Sequence, residues 1–420
     1  MALLARGVSA VVRGLSVKAC LELMIVREFL QWLRTASAGE RADGTTALAR
    51  AYLFSPLSLD DRAAAEGAML MLLDDPSPLV RRALAEAFAS SQAAPPSVVH
   101  GLAADQPFVA VPLVERSPLF VDADLVDMVA TGHRDIVAAI ARRPLLQRSV
   151  AAAIAEVGTA EACLELIENP DADIAPFSID RIVARFGHLS AIREPLLAFY
   201  DLPVDTRQAL VAKLSQALAD FVTGRSWLAK DRALRIVSEA CEKATVTLAA
   251  DTNEIRPLVR HLRETGQLTA GLLLRALLCG NCALFEESLA ELSGMSLERV
   301  YGLVHGSGNA AFRALYEKAG LPVSTYPAFR EAIEVMHEDV LLGETGDASR
   351  LKRRMVERVL TRCERSALGD VEPLMTLLRR FATEAAREEA RMFCDELVER
   401  SPEPVLLSDY DLVPDRLVAA

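Results

Sequence analysis

What most constrains this chain is that it resembles itself at a short period. Residues 70–88, LMLLDDPSPLVRRALAEAF, read as the apolar end of one helix, an acidic turn at Asp74 and Asp75 with two prolines, and a second amphipathic helix. Weaker copies open at Leu102, Val129 and Leu166. With Val80, Val109, Val137 and Ile174 taken as the equivalent apolar anchor, the copies recur about every 28 to 37 residues, a step that belongs to stacked helical repeats. A unit this short cannot bury its own apolar stripe, so its neighbours must do so. The length points the same way. A chain of 420 residues exceeds the size at which a single core keeps growing, which leaves several domains or a one-dimensional stack.

Composition then fixes the class. The chain is 51% hydrophobic but only 5% aromatic, its apolar content being carried by Ala, Leu and Val. Small and unbranched side chains suit helix-on-helix packing, whereas sheets draw on β-branched and aromatic ones. The expected fold is all-α: a right-handed stack of helix pairs with a charged helical region at its C-terminal end. A net charge of -12 repels phosphate backbones and argues against general nucleic-acid binding. Seven scattered cysteines (Cys20, Cys163, Cys241, Cys279, Cys282, Cys363, Cys394) predict reduced thiols, no structural disulfide and a cytoplasmic protein.

The organisation expected along the chain is an N-terminal extension at 1–23, helical repeats at 24–200 and again at 201–325, charged helices at 326–400 and a proline-rich tail at 401–420. In the extension, Arg6, Arg13 and Lys18 interrupt short apolar runs, so no membrane span is expected, and translation is expected to start at Met24. Ile25, Phe29, Trp32 and Leu33 share one helical face, with Trp32 read as core. Ser58, Asp205 and Asp231 are expected helix N-caps. Gly266, Gly280 and Gly306 are read as left-handed helix stops. Trp227 is expected to pack at a helix junction.

Few residues carry chemistry. Asp75 and Arg81 stand six apart, which resembles the spacing of the acidic turn residue and basic helix residue that bond neighbouring units in HEAT-type repeats. Asp105 repeats the acidic turn, giving a structural ladder of Asp75, Arg81 and Asp105. His133 reads as a helix cap, and His100 and His188 have no second ligand at metal-site spacing. Cys279-Gly-Asn-Cys282 stands alone, without a second pair or a βαβ pattern, and reads as two incidental thiols. No metal or cofactor is expected. From Arg350 through Arg354, Arg358 and Arg362 to Arg365, arginines recur every three or four residues and share a helix face, with Leu351, Met355, Val359 and Cys363 on the neighbouring apolar face. That stripe is the candidate partner-binding surface, and residues 383–400 supply an acidic helix able to neutralise it. Around Tyr410 lies a candidate docking motif.

The opening MIVREFLQWLR, the segments AAEGAMLMLLDDPSPLVRRALAEAF, GLAADQPFVAVPLVERSPLFVDADLVDMVATGH and GTAEACLELIENPDADIAPFSIDRIVARFGHL, and FRALYEKAGLP together resemble the bacterial family called domain of unknown function 2336. The resemblance runs from Met24 to about residue 330 and is expected to extend into the C-terminal helices. It implies an α-helical, HEAT-like fold in a cytoplasmic bacterial protein, and it implies no activity and no site residues.

The expected function is therefore a non-enzymatic scaffold that binds another protein through helix faces rather than a pocket. A membrane-surface or signalling regulator docking anionic lipid or a phosphorylated partner on the arginine face is the alternative. An enzymatic reading ranks lower. Di-iron helical-repeat hydroxylases need recurring His-Glu pairs, and His337-Glu338 is the single one here; glycosylases of similar build need a basic groove.

Overall fold

A computed structural model of the chain describes residues 31–199, 202–306, 309–341, 348, 350–366 and 372–399. The expectations for residues 1–30, Cys20 among them, and for Tyr410 lie outside these. The described residues form α-helices and one short 3-10 turn, with no strand, so the fold is all-α. None of these helices is long and apolar enough to cross a membrane. The chain divides into two compact units, residues 1–206 and 207–420.

In the first unit the helices are α1 (Ala38–Phe54), α2 (Leu59–Leu72), α3 (Pro78–Phe88), α4 (Pro96–Ala103), α5 (Pro107–Arg116), α6 (Asp122–Thr131), α7 (Arg134–Ala141), α8 (Arg148–Val157), α9 (Ala160–Glu168), α10 (Pro176–Phe186) and α11 (Ser190–Leu197). Each odd-numbered helix packs on the next odd-numbered one, from α1 through to α11. The even-numbered helices make a second row in which α2 meets α4, and α6, α8 and α10 follow one another. This alternation is consistent with a stack of helix pairs. Local sequence sets the helix ends. Proline stands in the first turn of α3, α4, α5 and α10, where a missing N–H costs nothing, and Ser37 with Glu40 forms a capping box on α1. Ser58 and His133 cap α2 and α7 through their side chains. Apolar residues one turn apart, Val80 with Leu84 and Val109 with Leu113, are fully buried between the rows.

The fourth repeat anchor departs from expectation. Ile174 lies in the loop before α10 and is only half-buried, whereas the odd-numbered row is continued by α9, whose Cys163 and Leu166 are buried. The acidic turn that marks the lead repeat also marks the second copy at Asp105, but the fourth copy, Asn-Pro-Asp-Ala-Asp, precedes a helix of the other row.

Polar bonds tie the helices of each row together. Arg41 of α1 donates from Nε and Nη2 to the Asp75 carboxylate at 2.9 and 3.0 Å. Arg81 of α3 donates to the backbone carbonyl of Asp75 and, from Nε and Nη2, to the Asp105 carboxylate. Each carboxylate is thus gripped by an arginine that precedes it in the chain, and Arg81 meets Asp75 through its backbone rather than its side chain. Further along, carboxylate pairs persist, Arg142 reaching Glu115 at 3.4 Å and Glu165 at 3.2 Å, and other cations take up backbone carbonyls. Arg143, 9% exposed, donates to the carbonyls of Val114 and Ser117 at the end of α5, and Arg185 to those of Ala155 and Gly158 at the end of α8, while the Asn169 amide reaches the carbonyls of Ala141 and Arg143. Helix C-termini present carbonyls that lack intrahelical donors, so a guanidinium satisfies two of them and meets the negative end of the helix dipole.

The second unit holds most of α12 (Val204–Gly224), then α13 (Lys230–Ala250), α14 (Ile255–Glu264), α15 (Ala270–Cys279), α16 (Cys282–Ser293), α17 (Leu297–Val304), α18 (Asn309–Lys318), α19 (Tyr326–Leu341), α20 (Arg353–Ser366) and α21 (Glu372–Glu399). Its centre is α15, buried from Leu272 to Cys279 and packed on α13, α16 and α19. A helix buried on all sides belongs in the middle of a bundle, and the single charge on this one is Arg275. From there α19 packs on α20 and α20 on α21.

Several local expectations are corrected. Gly266 and Gly280 do adopt left-handed φ values of 69° and 80°, but Gly306 does not, and the other left-handed stops are Gly294 and Gly320. Asp205 and Asp231 sit inside the first turns of α12 and α13 rather than at the N-cap, where their charge still opposes the helix dipole favourably. Trp32 is 40% exposed, and Trp227 is exposed after α12, stacked edge-on against Phe221 with Arg225 over its ring.

Candidate functional site

The arginine stripe lies on α20 and the residues just before it. Leu351, Met355, Val356, Val359 and Cys363 are buried, as their periodicity predicts, and this fixes how the arginines are turned. Arg362 faces α19, where Nη2 bonds both Glu338 oxygens at 2.8 and 3.1 Å and Nη1 lies 3.6 Å from Glu334 and 3.7 Å from Glu331. The Arg362 hydrogen bond, with the charges of Arg362 and Arg358, holds the Glu338 carboxyl below its usual range. Arg353, which sequence reasoning left out of the stripe, faces the other way and bonds Glu357 at 2.7 Å and Glu389 of α21 at 2.8 Å. Arg350, Arg354 and Arg365 are exposed and Arg358 is half-buried. The five arginines therefore do not act as one surface: Arg362 belongs to an ion cluster with α19, and Arg350 lines a groove against α21. Asp75, Arg81 and Asp105 lie in the first unit and serve the ladder between helices.

The groove continues along α21. The first half of this helix buries Leu374, Met375, Leu378, Phe381 and Ala385, one side of a regular amphipathic helix. Beyond Glu388 the burial stops. Residues 389–398 are all exposed, and they include Met392 (44%), Phe393 (62%), Leu397 (51%) and Val398 (74%). Leu351, Arg353, Ala385, Met392 and Phe393 line a groove of about 320 Å³ at the start of this run. Arg391 stands before Met392, and Asp395 and Glu396 stand before Leu397, so the exposed end is an apolar strip with acidic side chains at its outer end. Sequence reasoning treated this helix only as an acidic partner for the arginines, and the Arg353–Glu389 bond is of that kind. The pairs Met392-Phe393 and Leu397-Val398 were the available signal: they continue the apolar side of a helix past the point where another helix covers it.

Two other clusters bring together residues that are remote in sequence. Glu286 shares a 2.7 Å hydrogen bond with His305 Nε2, and the His305 ring lies 4.3 Å from Tyr301 and 5.7 Å from His337, centroid to centroid. Burial, together with the His305 charge, pushes the His337 imidazole below its ordinary value, and its Nε2 is buried without a hydrogen-bond partner. His337 and Glu338 do not act as a pair, since Glu338 turns to Arg362. Nearby, Cys282 Sγ lies 3.3 Å from Met336 Sδ. Burial first, and then the Glu286 carboxylate, push the Cys282 thiol up, opposite to what a nucleophilic or redox-active Cys-x-x-Cys requires. Cys279 is fully buried, and the six cysteines among the described residues are free thiols. No group of three or more metal-ligating side chains comes together among the described residues.

Comparison with known proteins gives one positive result. The model of a family described as an uncharacterised protein conserved in bacteria, DUF2336, matches residues 109–369, more than half of the chain. No curated protein and no solved structure matches it. The matched stretch starts later than the resemblance read from the sequence, beyond Asp75, Arg81 and Asp105, and of the C-terminal helices it takes in α20 with its arginines but ends before α21.

Proposed function

The chain belongs to the bacterial family DUF2336, and from that premise we propose that it is a non-enzymatic protein-binding module whose docking surface is the exposed end of α21 with the groove at its base. The observation that carries this reading is the run of exposed residues 389–398 with four large apolar side chains. Each such side chain gains about 1.5 to 3 kcal/mol on full burial, and contiguous apolar patches rimmed by polar residues are characteristic of interaction sites. The carboxylates of Asp395 and Glu396 at its outer end point to the partner's chemistry: an amphipathic helix whose apolar face meets Met392, Phe393 and Leu397 and whose flank there carries Lys or Arg.

The test is a crosslinking pull-down from native lysate with three baits: the wild-type chain, a Phe393→Asp/Leu397→Asp variant and an Arg354→Glu/Arg358→Glu variant. We expect a partner captured by the wild type, lost with the first variant and kept with the second, while circular dichroism of all three stays the same. Retention by Phe393→Asp/Leu397→Asp would overturn the reading. Loss with only the arginine variant would favour the alternative, docking of a phosphorylated partner or anionic lipid on the α20 face, against which stands the engagement of Arg362 by three glutamates of α19.

A further inference from the structure

Another face of α21 closes a second cleft, of about 390 Å³, against α13 and α15. Arg275 of α15 forms its inner wall. It is 2% exposed, bonds the Glu384 carboxylate twice at 2.9 Å, and lies 4.7 Å over the Phe381 ring, so its position is fixed from two sides. Its Nε–H is buried and has no hydrogen-bond partner, a condition that buried donors rarely tolerate without a functional reason. The other charges in the wall are also paired. Lys243 bonds Glu388 and lies 3.5 Å from Glu384, and Arg380 bonds Glu239. Burial works against the Glu384 charge, but the Arg275 and Lys243 contacts outweigh it and hold the carboxyl below its usual range, so the carboxylate stays ionised.

Each carboxylate of the lining is thus matched by a cation of the same lining, and two cations remain. Arg387 and Arg391 stand one turn apart on α21, both exposed and both lining the cleft, and neither has a partner among the described residues. A cleft with five cations and three carboxylates is an exception in a chain of net charge -12.

We propose that this cleft binds a small phosphate-bearing ligand, with the phosphate dianion held between Arg387 and Arg391. Two charges of surplus match the dianion, and the guanidinium fork presents paired N–H donors at the spacing of phosphate oxygens. The volume lies within the range of small-ligand pockets. Because Arg387 and Arg391 stand on a helix rather than in a loop, their backbone positions are set before the ligand arrives, and ordering is confined to the two side chains. The cleft and the groove of the docking strip share only Glu388, and Arg391 stands at the start of the exposed run, turned to the cleft.

Titration calorimetry on the full chain at constant ionic strength tests the proposal with ribose 5-phosphate, inorganic phosphate and ribose as probes. Saturable binding of ribose 5-phosphate is expected, with none for ribose. Inorganic phosphate binding as tightly would assign recognition to the free oxyanion, and weaker binding to the esterified form. An Arg387→Gln/Arg391→Gln variant should lose about 100-fold in affinity, as two charge-assisted contacts predict. Arg365→Gln, outside the cleft, should bind as the wild type does. Absence of saturation up to about 10 mM of either phosphate, or equal affinity in the Arg387→Gln/Arg391→Gln variant, would overturn it.

Discussion

Arg81 shows how much a single side chain can hold in place. It satisfies the carbonyl of Asp75 and clasps the Asp105 carboxylate, both of its partners being part-buried. Arg81→Ala removes the cation and leaves a half-buried carboxylate without its guanidinium, so we expect a loss of about 2 to 3 kcal/mol in urea unfolding. Asp105→Ala should cost less after Arg81 is gone than before, a coupling that a double-mutant cycle reads directly. At Asp75, burial alone would raise the carboxyl, but the Arg41 bonds, the Ser77 N–H and the Arg81 charge outweigh it and the group titrates below its ordinary value. Its stabilisation is therefore complete above the unfolded-state pKa and is lost as pH falls through the lower, folded-state value. Arg41→Ala should flatten the acid limb of the stability curve below about pH 4. Glu242 has the opposite sign. Burial pushes its carboxyl up despite the Thr269 hydroxyl and the Arg275 charge, so ionising it costs stability above its unfolded-state pKa. Glu242→Gln should raise the melting temperature at neutral pH and do so less as pH is lowered through the carboxylate range; an increment that does not change with pH would refute this assignment.

At the scale of the helix, α5 contains an internal proline that the stack accommodates. Pro112 has no N–H to give to the carbonyl of Phe108, four residues earlier, and that carbonyl instead accepts from Arg82 of α3 at 3.2 Å, with the Arg82 guanidinium 4.3 Å over the Phe108 ring. We expect Arg82→Ala to cost about 1 kcal/mol in the natural sequence and clearly less in a Pro112→Ala background, where the helix supplies its own donor. Equal costs in both backgrounds would show that the carbonyl contact contributes nothing. Helices were the most legible part of the sequence, because burial repeats with their own period: Leu351, Met355, Val359 and Cys363 were placed on one face and are all buried. The exposed end of α21 was not legible, because periodicity tells which side of a helix is apolar and not where the neighbouring helix stops. The arginine stripe failed similarly. Spacing put Arg362 with Arg358 and Arg365 on one face, but the three glutamates that engage Arg362 come from α19, and no local pattern announces a partner from another element.

Over the whole molecule, charge is unevenly spent. The chain carries twelve more acidic than basic side chains, while positive surplus gathers at the cleft of Arg387 and Arg391. Duplex DNA carries phosphate charge along its entire length and meets the acidic background as well as the cleft, so fluorescence anisotropy with a labelled duplex should stay flat at about 150 mM salt. A salt-dependent rise would contradict this separation between a small anion and a polymer of them. The sequence pattern was plain in its lead copy and faded by the fourth, and the contacts of the first unit suggest one reason. Arg143 in the odd row and Arg185 in the even row grip backbone carbonyls. A carbonyl is contributed by whatever amino acid occupies the position, so only one half of the contact is written in the gene. Such a joint presents half the target to random substitution, and the acceptor positions are free to diverge while the helices stay in register. Similarity between repeats then erodes faster than the geometry that once produced it.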